Sequence, residues 1–183
     1  MRKLALAGAM LLAGAASAGA AQFAVTSPDI KSGGKIADAQ VANGFGCAGG
    51  NTSPEVNWSG APKGAKSFAV RVYDPDAPTG SGFWHWVAFN IPAGTTSLPK
   101  NAGDPTANLT PAGTIQSHND TGSQGYFGPC PPKGDKPHHY HVQVFAVDVD
   151  KLDADDKASP AVVGFNLHFH TLGMAELIGL YGR

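Results

Sequence analysis

Glycine and proline together take about a fifth of this chain, 24 and 14 of 183 residues. Both disfavour a regular helix interior, glycine through backbone entropy and proline through its missing N–H. A helical bundle or coiled coil does not fit, and short elements joined by many turns are expected. The chain nevertheless has what a core needs, with 42% hydrophobic and 15% charged residues, a balance unlike that of disordered segments. One folded domain is the natural organisation, without repeat or linker. The net charge is −1 and no long Lys/Arg run occurs, so nothing in the electrostatics calls for nucleic acid.

The N-terminus differs in character from the rest. Arg2 and Lys3 precede an apolar run from Leu4 to Leu12, and Ala13 to Ala21 is almost all Ala and Gly. Ala16-Ser17-Ala18 and Ala18-Gly19-Ala20 both fit a small-x-small cleavage site, so residues 1–20 read as a secretory signal peptide and 21–183 as a single mature domain. A retained anchor is the competing reading, since residues 4–25 carry no charge; against it, the Leu/Met part is short and no positive stop-transfer cluster follows. With Arg2 and Lys3 removed, 11 basic residues face 14 acidic ones and the net charge is −3. A periplasmic or secreted protein is expected, with no membrane segment after processing.

Two cysteines remain, Cys47 and Cys130, both in Gly/Pro-rich surroundings. In an exported protein such a pair most simply forms a disulfide, worth roughly 4 to 5 kcal/mol for a loop this long on the chain-entropy model. Two free thiols are the alternative. A zinc site is disfavoured because no CxxC spacing occurs.

The mature chain reads mainly as β. Gln22–Thr26, Ser67–Tyr73, Phe83–Ile91 and Tyr140–Asp148 are rich in Val, Phe, Tyr and Trp and are bounded by turn clusters such as Asp74-Pro75-Asp76, as strands of one sheet system would be. Leu98–Lys136 is an extended irregular connection, and a loop of that length inside a compact domain is usually functional. Asp153–Ala158 is expected to form a short helical turn. Leu167–Leu180 is expected to form a terminal helix burying Leu172, Leu177, Ile178 and Leu180, despite Gly173 and Gly179.

Several motif matches fail on physical grounds. Gly44-Phe45-Gly46-Cys47-Ala48-Gly49 satisfies GxGxxG but leads into Gly50-Asn51-Thr52-Ser53-Pro54, leaving no helix N-terminus for a pyrophosphate. It reads as a turn. Gly60–Ser67 has the wrong spacing for a phosphate loop, and no GxSxG elbow is present. Asn51, Asn57, Asn108 and Asn119 open glycosylation triplets, which matter only in a glycosylating pathway.

The informative constellation has two halves. Asp74-Pro75-Asp76-Ala77-Pro78 followed by Phe83-Trp84-His85-Trp86 places two carboxylates on a proline-stiffened turn and an imidazole near the start of the next strand. Gly128-Pro129-Cys130-Pro131-Pro132-Lys133-Gly134 followed by His138-His139-Tyr140-His141 again runs a rigid turn into a strand. Prolines fix φ and lower the entropic cost of holding a site. Strand side chains alternate, so His138 and Tyr140 share one face and His139 and His141 the other; one of these faces is expected to join His85.

These two stretches resemble the signature regions of the phosphatidylethanolamine-binding protein family. Gly46-Cys47, Asn51-x-Ser53-Pro54, Trp58-Ser59-Gly60-x-Pro62, Pro78-Thr79-Gly80-Ser81-Gly82 and Gly128-Pro129-Cys130-Pro131-Pro132 look like the wording of its bacterial, Raf-kinase-inhibitor-like branch of YbhB/YbcL type. The resemblance runs from about Phe23 to the C-terminus. It implies a large central sheet, a smaller sheet, short peripheral helices and a small pocket for phosphate or a phospholipid headgroup. Carried over, Asp74, Asp76, Pro78, His85, Gly128, Pro131, His138 and Tyr140 line or shape that pocket. Cys130 stands where the animal pattern has Gly before its paired prolines, which suits the bacterial branch and the disulfide. His139 stands where Arg commonly separates His from Tyr, and an imidazole does not replace a guanidinium's fixed charge and forked donors.

The chemistry is consistent with that expectation. An anion in a small cleft needs donors, which His85, His138 and the Tyr140 hydroxyl supply. A nearby Asp74 or Asp76 is expected to hold an imidazole's tautomer and raise its pKa, favouring the cation, or to receive the ammonium of a zwitterion such as phosphoethanolamine. Blander roles exist for each residue: Asp caps tight turns, Trp84 and Trp86 pack a core or pocket wall, and His139 and His141 sit on a strand face. The expected function is an exported, non-enzymatic binding protein for a small anionic ligand, without cofactor, whose surface inhibits a protein partner such as a protease or kinase. Two enzymatic alternatives are a metalloenzyme using His139-x-His141 with a carboxylate or His85, and a serine hydrolase built from Ser117, His118 and Asp120.

Overall fold

The computed structural model describes residues 22–183; the expected signal peptide, residues 1–20, lies outside the described residues. In chain order the elements are β1 (Ala24–Thr26), β2 (Asn43–Gly44), β3 (Cys47–Ala48), β4 (Val56–Ser59), β5 (Ser67–Asp74), β6 (Phe83–Pro92), β7 (Ser97–Leu98), β8 (Ile115–Gln116), β9 (His138–Val147), α1 (Pro160–His170) and β10 (Thr171–Tyr181). They form a five-stranded antiparallel sheet of order β10-β9-β5-β6-β8, a three-stranded sheet β1-β4-β7 and the small hairpin β2-β3. The four segments read as strands from their apolar content are β1, β5, β6 and β9.

Period-2 alternation in the central sheet makes two cores. On one face Val70, Val72, Trp86, Ala88, Val142 and Val144 pack against Val25, Val56, Trp58 and Leu98 of the three-stranded sheet. On the other, Ala69, Val87, Phe89, Phe145 and Val147 receive Val163 and Leu167 of α1. Fully burying side chains of this size contributes about 1.5–3 kcal/mol each. α1 starts where its sequence directs: the Ser159 hydroxyl accepts the Val162 N–H and Pro160 takes the first turn.

Two expectations are corrected. The terminal helix over Leu167–Leu180 does not form; α1 ends at His170 and Thr171–Tyr181 is the edge strand β10, paired with β9 from Thr171↔Val147 to Tyr181↔His138. Ala175 and Leu177 alternate inward while Met174 and Glu176 face out, a strand period hidden among closely spaced apolar residues. Gly179 shows why a glycine is needed there: a Cβ would lie 2.8 Å from Ile30 Cγ2 and Ile36 Cγ1. In addition, Asp153–Ala158 makes only a turn, closed by Ala158 N–H to Asp155 O at 3.2 Å, so among the described residues α1 is the single α-helix.

The strand order positions the site. β5 lies between β6 and β9 and is antiparallel to both, so the end of β5 and the starts of β6 and β9 lie together at one end of the strands. The proline turns that follow Asp74 and precede His138 therefore meet there. The Cys47–Cys130 disulfide forms across this end, Cα–Cα 6.0 Å, joining the β2-β3 hairpin to the second turn.

Replacing Gly179 with Val should lower stability by about 1–3 kcal/mol through overpacking, seen as a lower urea midpoint at unchanged slope. An unchanged midpoint would contradict the close approach of β10 to Ile30 and Ile36.

Candidate functional site

At this end of the strands lies a cavity of about 210 Å³ whose walls include Phe45, Pro78, Phe83, Phe127, Pro131 and Pro132. Of the residues expected to bind a ligand, Asp74, Pro78, His85, Pro131, His138 and Tyr140 line it. Gly128 is not in the lining; its N–H donates to Asn51 Oδ1 at 2.8 Å, and a Cβ there would lie 2.2 Å from Gln40 O. Asp76 is not in the lining. It is 42% exposed and accepts both the backbone N–H of His139 (2.8 Å) and its Nδ1–H (2.7 Å), bonds that hold its carboxyl below the usual range.

Asp74 does two things with its two oxygens. Oδ1 accepts the Asp76 N–H at 2.8 Å, closing the turn as an Asp in this position should. Oδ2 accepts the Nδ1–H of His138 at 2.7 Å, in a pair whose side chains are only 3% and 5% exposed. The turn-capping role and the histidine-holding role are thus both real. His138 Nε2 stands 3.7 Å from the half-exposed Asp135 carboxylate.

His85 reaches the cavity through a break in strand pairing. Val72 pairs with Trp86 and Tyr73 with Trp84, which leaves His85 as the extra residue of a β-bulge. Trp84 stacks on Tyr73 with centroids 4.6 Å apart and packs on the α1 side. His85 instead turns to Tyr140, centroids 5.2 Å apart, on the face that carries Trp86. Strict alternation would have put His85 and Trp86 on opposite faces.

The imidazole that Asp74 holds is His138; at His85 burial works against the cation. Desolvation lowers its pKa to about 4, outweighing the carbonyl of Phe127 and the Asp74 charge, which act the other way. The ring is neutral at pH 7. Its Nδ1 lies 2.7 Å from Phe127 O, and a carbonyl only accepts, so the proton is on Nδ1 and Nε2 carries the lone pair. Burial, with the Asp74 charge in support, raises the Tyr140 pKa, so its hydroxyl remains a donor. That hydroxyl is buried and makes no hydrogen bond of full geometry among the described residues, although the Asp74 carboxylate stands near enough to attract its proton.

Sequence reasoning missed the aromatic walls. Phe127 lies in the irregular segment singled out for a site, and Phe45 lies in the GxGxxG match, whose turn reading is correct: Phe45 and Gly46 (φ 50° and 79°) form the tip of the β2-β3 hairpin. Arg183 is a further residue without a local signal; its Nε donates to Pro131 O (2.6 Å) and its Nη1 to Gly46 O (2.8 Å), bracing both lips of the cavity.

The enzymatic alternatives find no matching geometry. His139 pairs with Asp76 and His141 with Glu176, and among the described residues no three His, Cys, Asp or Glu side chains are placed to hold one metal ion. Ser117 Oγ makes no hydrogen bond there, while the Asp120 carboxylate accepts the Trp84 N–H, so these residues form no triad.

The chain belongs to the phosphatidylethanolamine-binding protein family, whose family model matches residues 26–182. Over 165 residues it is 52% identical to the UPF0098 protein YbcL of Escherichia coli strain K12, covering 90% of each chain. It is 46% identical to YbhB of the same strain over 155 residues, 85% of this chain and 97% of that one. The crystal structure of E. coli YbcL, described as a member of the mammalian PEBP family, superposes with a TM-score of 0.87 at 51% identity, covering 89% of this chain and 99% of that one.

Tyr140→Phe should hold or raise stability, by up to about 1 kcal/mol, because it removes a buried hydroxyl that makes no hydrogen bond of full geometry. Chemical denaturation checks this, and a loss of more than about 1 kcal/mol would show that the hydroxyl is structurally engaged.

Proposed function

We propose that the protein is an exported, non-enzymatic binding protein whose cavity takes phosphate or another small anionic headgroup. The observation that carries this reading is the Tyr140 hydroxyl, a buried donor near the Asp74 carboxylate that makes no well-formed hydrogen bond among the described residues, in a cavity it shares with His85 and His138. A buried polar group left unmade is costly, and an anion seated there would accept from it. Asp74 supports His138 instead of meeting the anion. The disulfide suits an oxidising compartment, as does the leader-like N-terminus; no helix among the described residues is long and apolar enough to cross a membrane. A protein partner of the protease or kinase kind is the second part of the proposal, favoured by Phe165 and Phe169, which α1 leaves exposed.

The proton balance follows from the tautomers. His85 and His138 both direct Nδ1 at an acceptor within the protein, so each donates to an anion only when Nε2 is also protonated. At His85, which is neutral without ligand, anion binding therefore takes up a proton. Above the free pKa of about 4, His85 is neutral without ligand; an anion seated against Nε2 favours its cation, so affinity falls as pH rises until the loaded site also loses its proton. Calorimetry with a phosphodiester, whose own charge is constant in this range, should show affinity falling between about pH 5.5 and about pH 8.5, by up to about tenfold per unit for each proton taken up. Equal affinity at the two ends would sink the role assigned to the imidazoles.

A further inference from the structure

Beside the headgroup cavity, on the other side of the Phe45 and Phe127 rings, runs a second depression of about 650 Å³. The two share only those rings as walls. The second is lined by uncharged polar groups, Asn51, Asn119, Thr121, Ser123 and Gln124 among them, with Asp104 as its one charged side chain. Asn51 and Asn119 are fixed: Asn51 accepts the Gly128 N–H and Asn119 donates to Gly125 O at 2.9 Å. The Ser123 hydroxyl and Gln124 Oε1 carry no hydrogen bond within the described residues, since Gln124 donates only through Nε2, to Asp156.

The partition between the two spaces is unusual. Phe45 is 74% exposed and sits at φ 50°, a left-handed backbone that a bulky side chain rarely adopts. Its ring is held edge-on to Phe127, centroids 5.3 Å apart, and its loop is tied down by the Cys47–Cys130 bridge and by Arg183 at Gly46 O. Water solvates amides and hydroxyls well, so an exposed aromatic held rigidly among them offers a ligand what water does not: an apolar plate beside hydrogen-bonding groups.

We infer that the ligand is bipartite, a phosphate group in the cavity carried on a polyhydroxylated, glycosyl-type scaffold that crosses the Phe45–Phe127 partition and lies in the polar trough. This rests on the anion-binding reading above. Acyl chains do not suit the trough: its amides and hydroxyls would be desolvated against hydrocarbon without compensation. A sugar satisfies them, and its C–H face packs on the exposed Phe45 ring while its hydroxyls reach Ser123 and Gln124. The trough lacks Lys and Arg in its lining, so the scaffold's contribution is neutral hydrogen bonding, and a second phosphate gains nothing there.

The test is calorimetric titration of the disulfide-intact protein with three probes: inorganic phosphate, glucose 1-phosphate, and a short-chain diacyl phosphoethanolamine kept below its micelle concentration. Glucose 1-phosphate should bind about tenfold or more tighter than inorganic phosphate, the equivalent of one or two additional net hydrogen bonds, and more tightly than the diacyl probe. Ser123→Trp, which fills the trough from an exposed turn outside the headgroup cavity, should abolish the glycosyl gain while leaving phosphate affinity as it was; that unchanged phosphate value also reports that the fold is intact. Phosphate binding without a glycosyl gain, a diacyl probe that binds tighter than the sugar phosphate, or a gain that survives Ser123→Trp would each overturn the bipartite ligand alone. Failure of all three probes to bind would overturn the anion reading beneath it as well.

Discussion

The buried hydrogen bond between Asp74 and His138 is the constraint on which the candidate site depends. It spans 64 positions of sequence at 2.7 Å, with both side chains almost wholly withdrawn from water. Such a pair is stable only when its remaining hydrogen-bonding capacity is met, and here the second Asp74 oxygen is met by the Asp76 N–H. The carboxylate thus fixes the β5 turn and the first side chain of β9 at once. Antiparallel pairing of β5 with both neighbours brings the two proline turns to the same end of the strands. The side-chain bond then sets their register at the level of individual atoms.

A second consequence concerns charge. The site was expected to present cationic imidazoles, but burial dominates at His85 and leaves it neutral. Its Nδ1–H is turned inward to Phe127 O, as that of His138 is to Asp74. The cavity presents the Tyr140 hydroxyl and the His85 and His138 rings, with Asp74 beside His138, between aromatic and proline walls. In the proposed function, selectivity for an anion comes from proton uptake at His85 coupled to binding, with the apolar walls excluding water and strengthening each hydrogen bond that forms.

Much of this was legible in the residues because turn chemistry and period-2 patterning are local. The strands at Ser67, Phe83 and Tyr140, the turn within residues 44–49 and the placing of Asp74 and Tyr140 in one cavity follow from spacing, proline placement or family resemblance. The rest depended on long-range packing. β10 looked helical because its apolar residues are dense enough to fit either period, and its pairing with β9, a partner distant in sequence, decides for a strand. The four residues of β4 are too few to announce themselves, although Val56 and Trp58 are core. Direct alternation puts His85 on the wrong face, because nothing local in Trp84-His85-Trp86 signals a bulge. Phe127 and Arg183 join the site through partners 42 and 52 positions away, and Asp76 is engaged outside it by the N–H and ring of His139.

The proton positions give the most direct test. A nitrogen-resolved NMR spectrum of the histidine rings in the free protein at neutral pH should show both His85 and His138 protonated at Nδ1, and His85 should gain a proton at Nε2 when the protein is saturated with a phosphodiester. A free protein in which either ring carries its only proton on Nε2, or an anion-saturated one in which His85 is unchanged, would contradict the account.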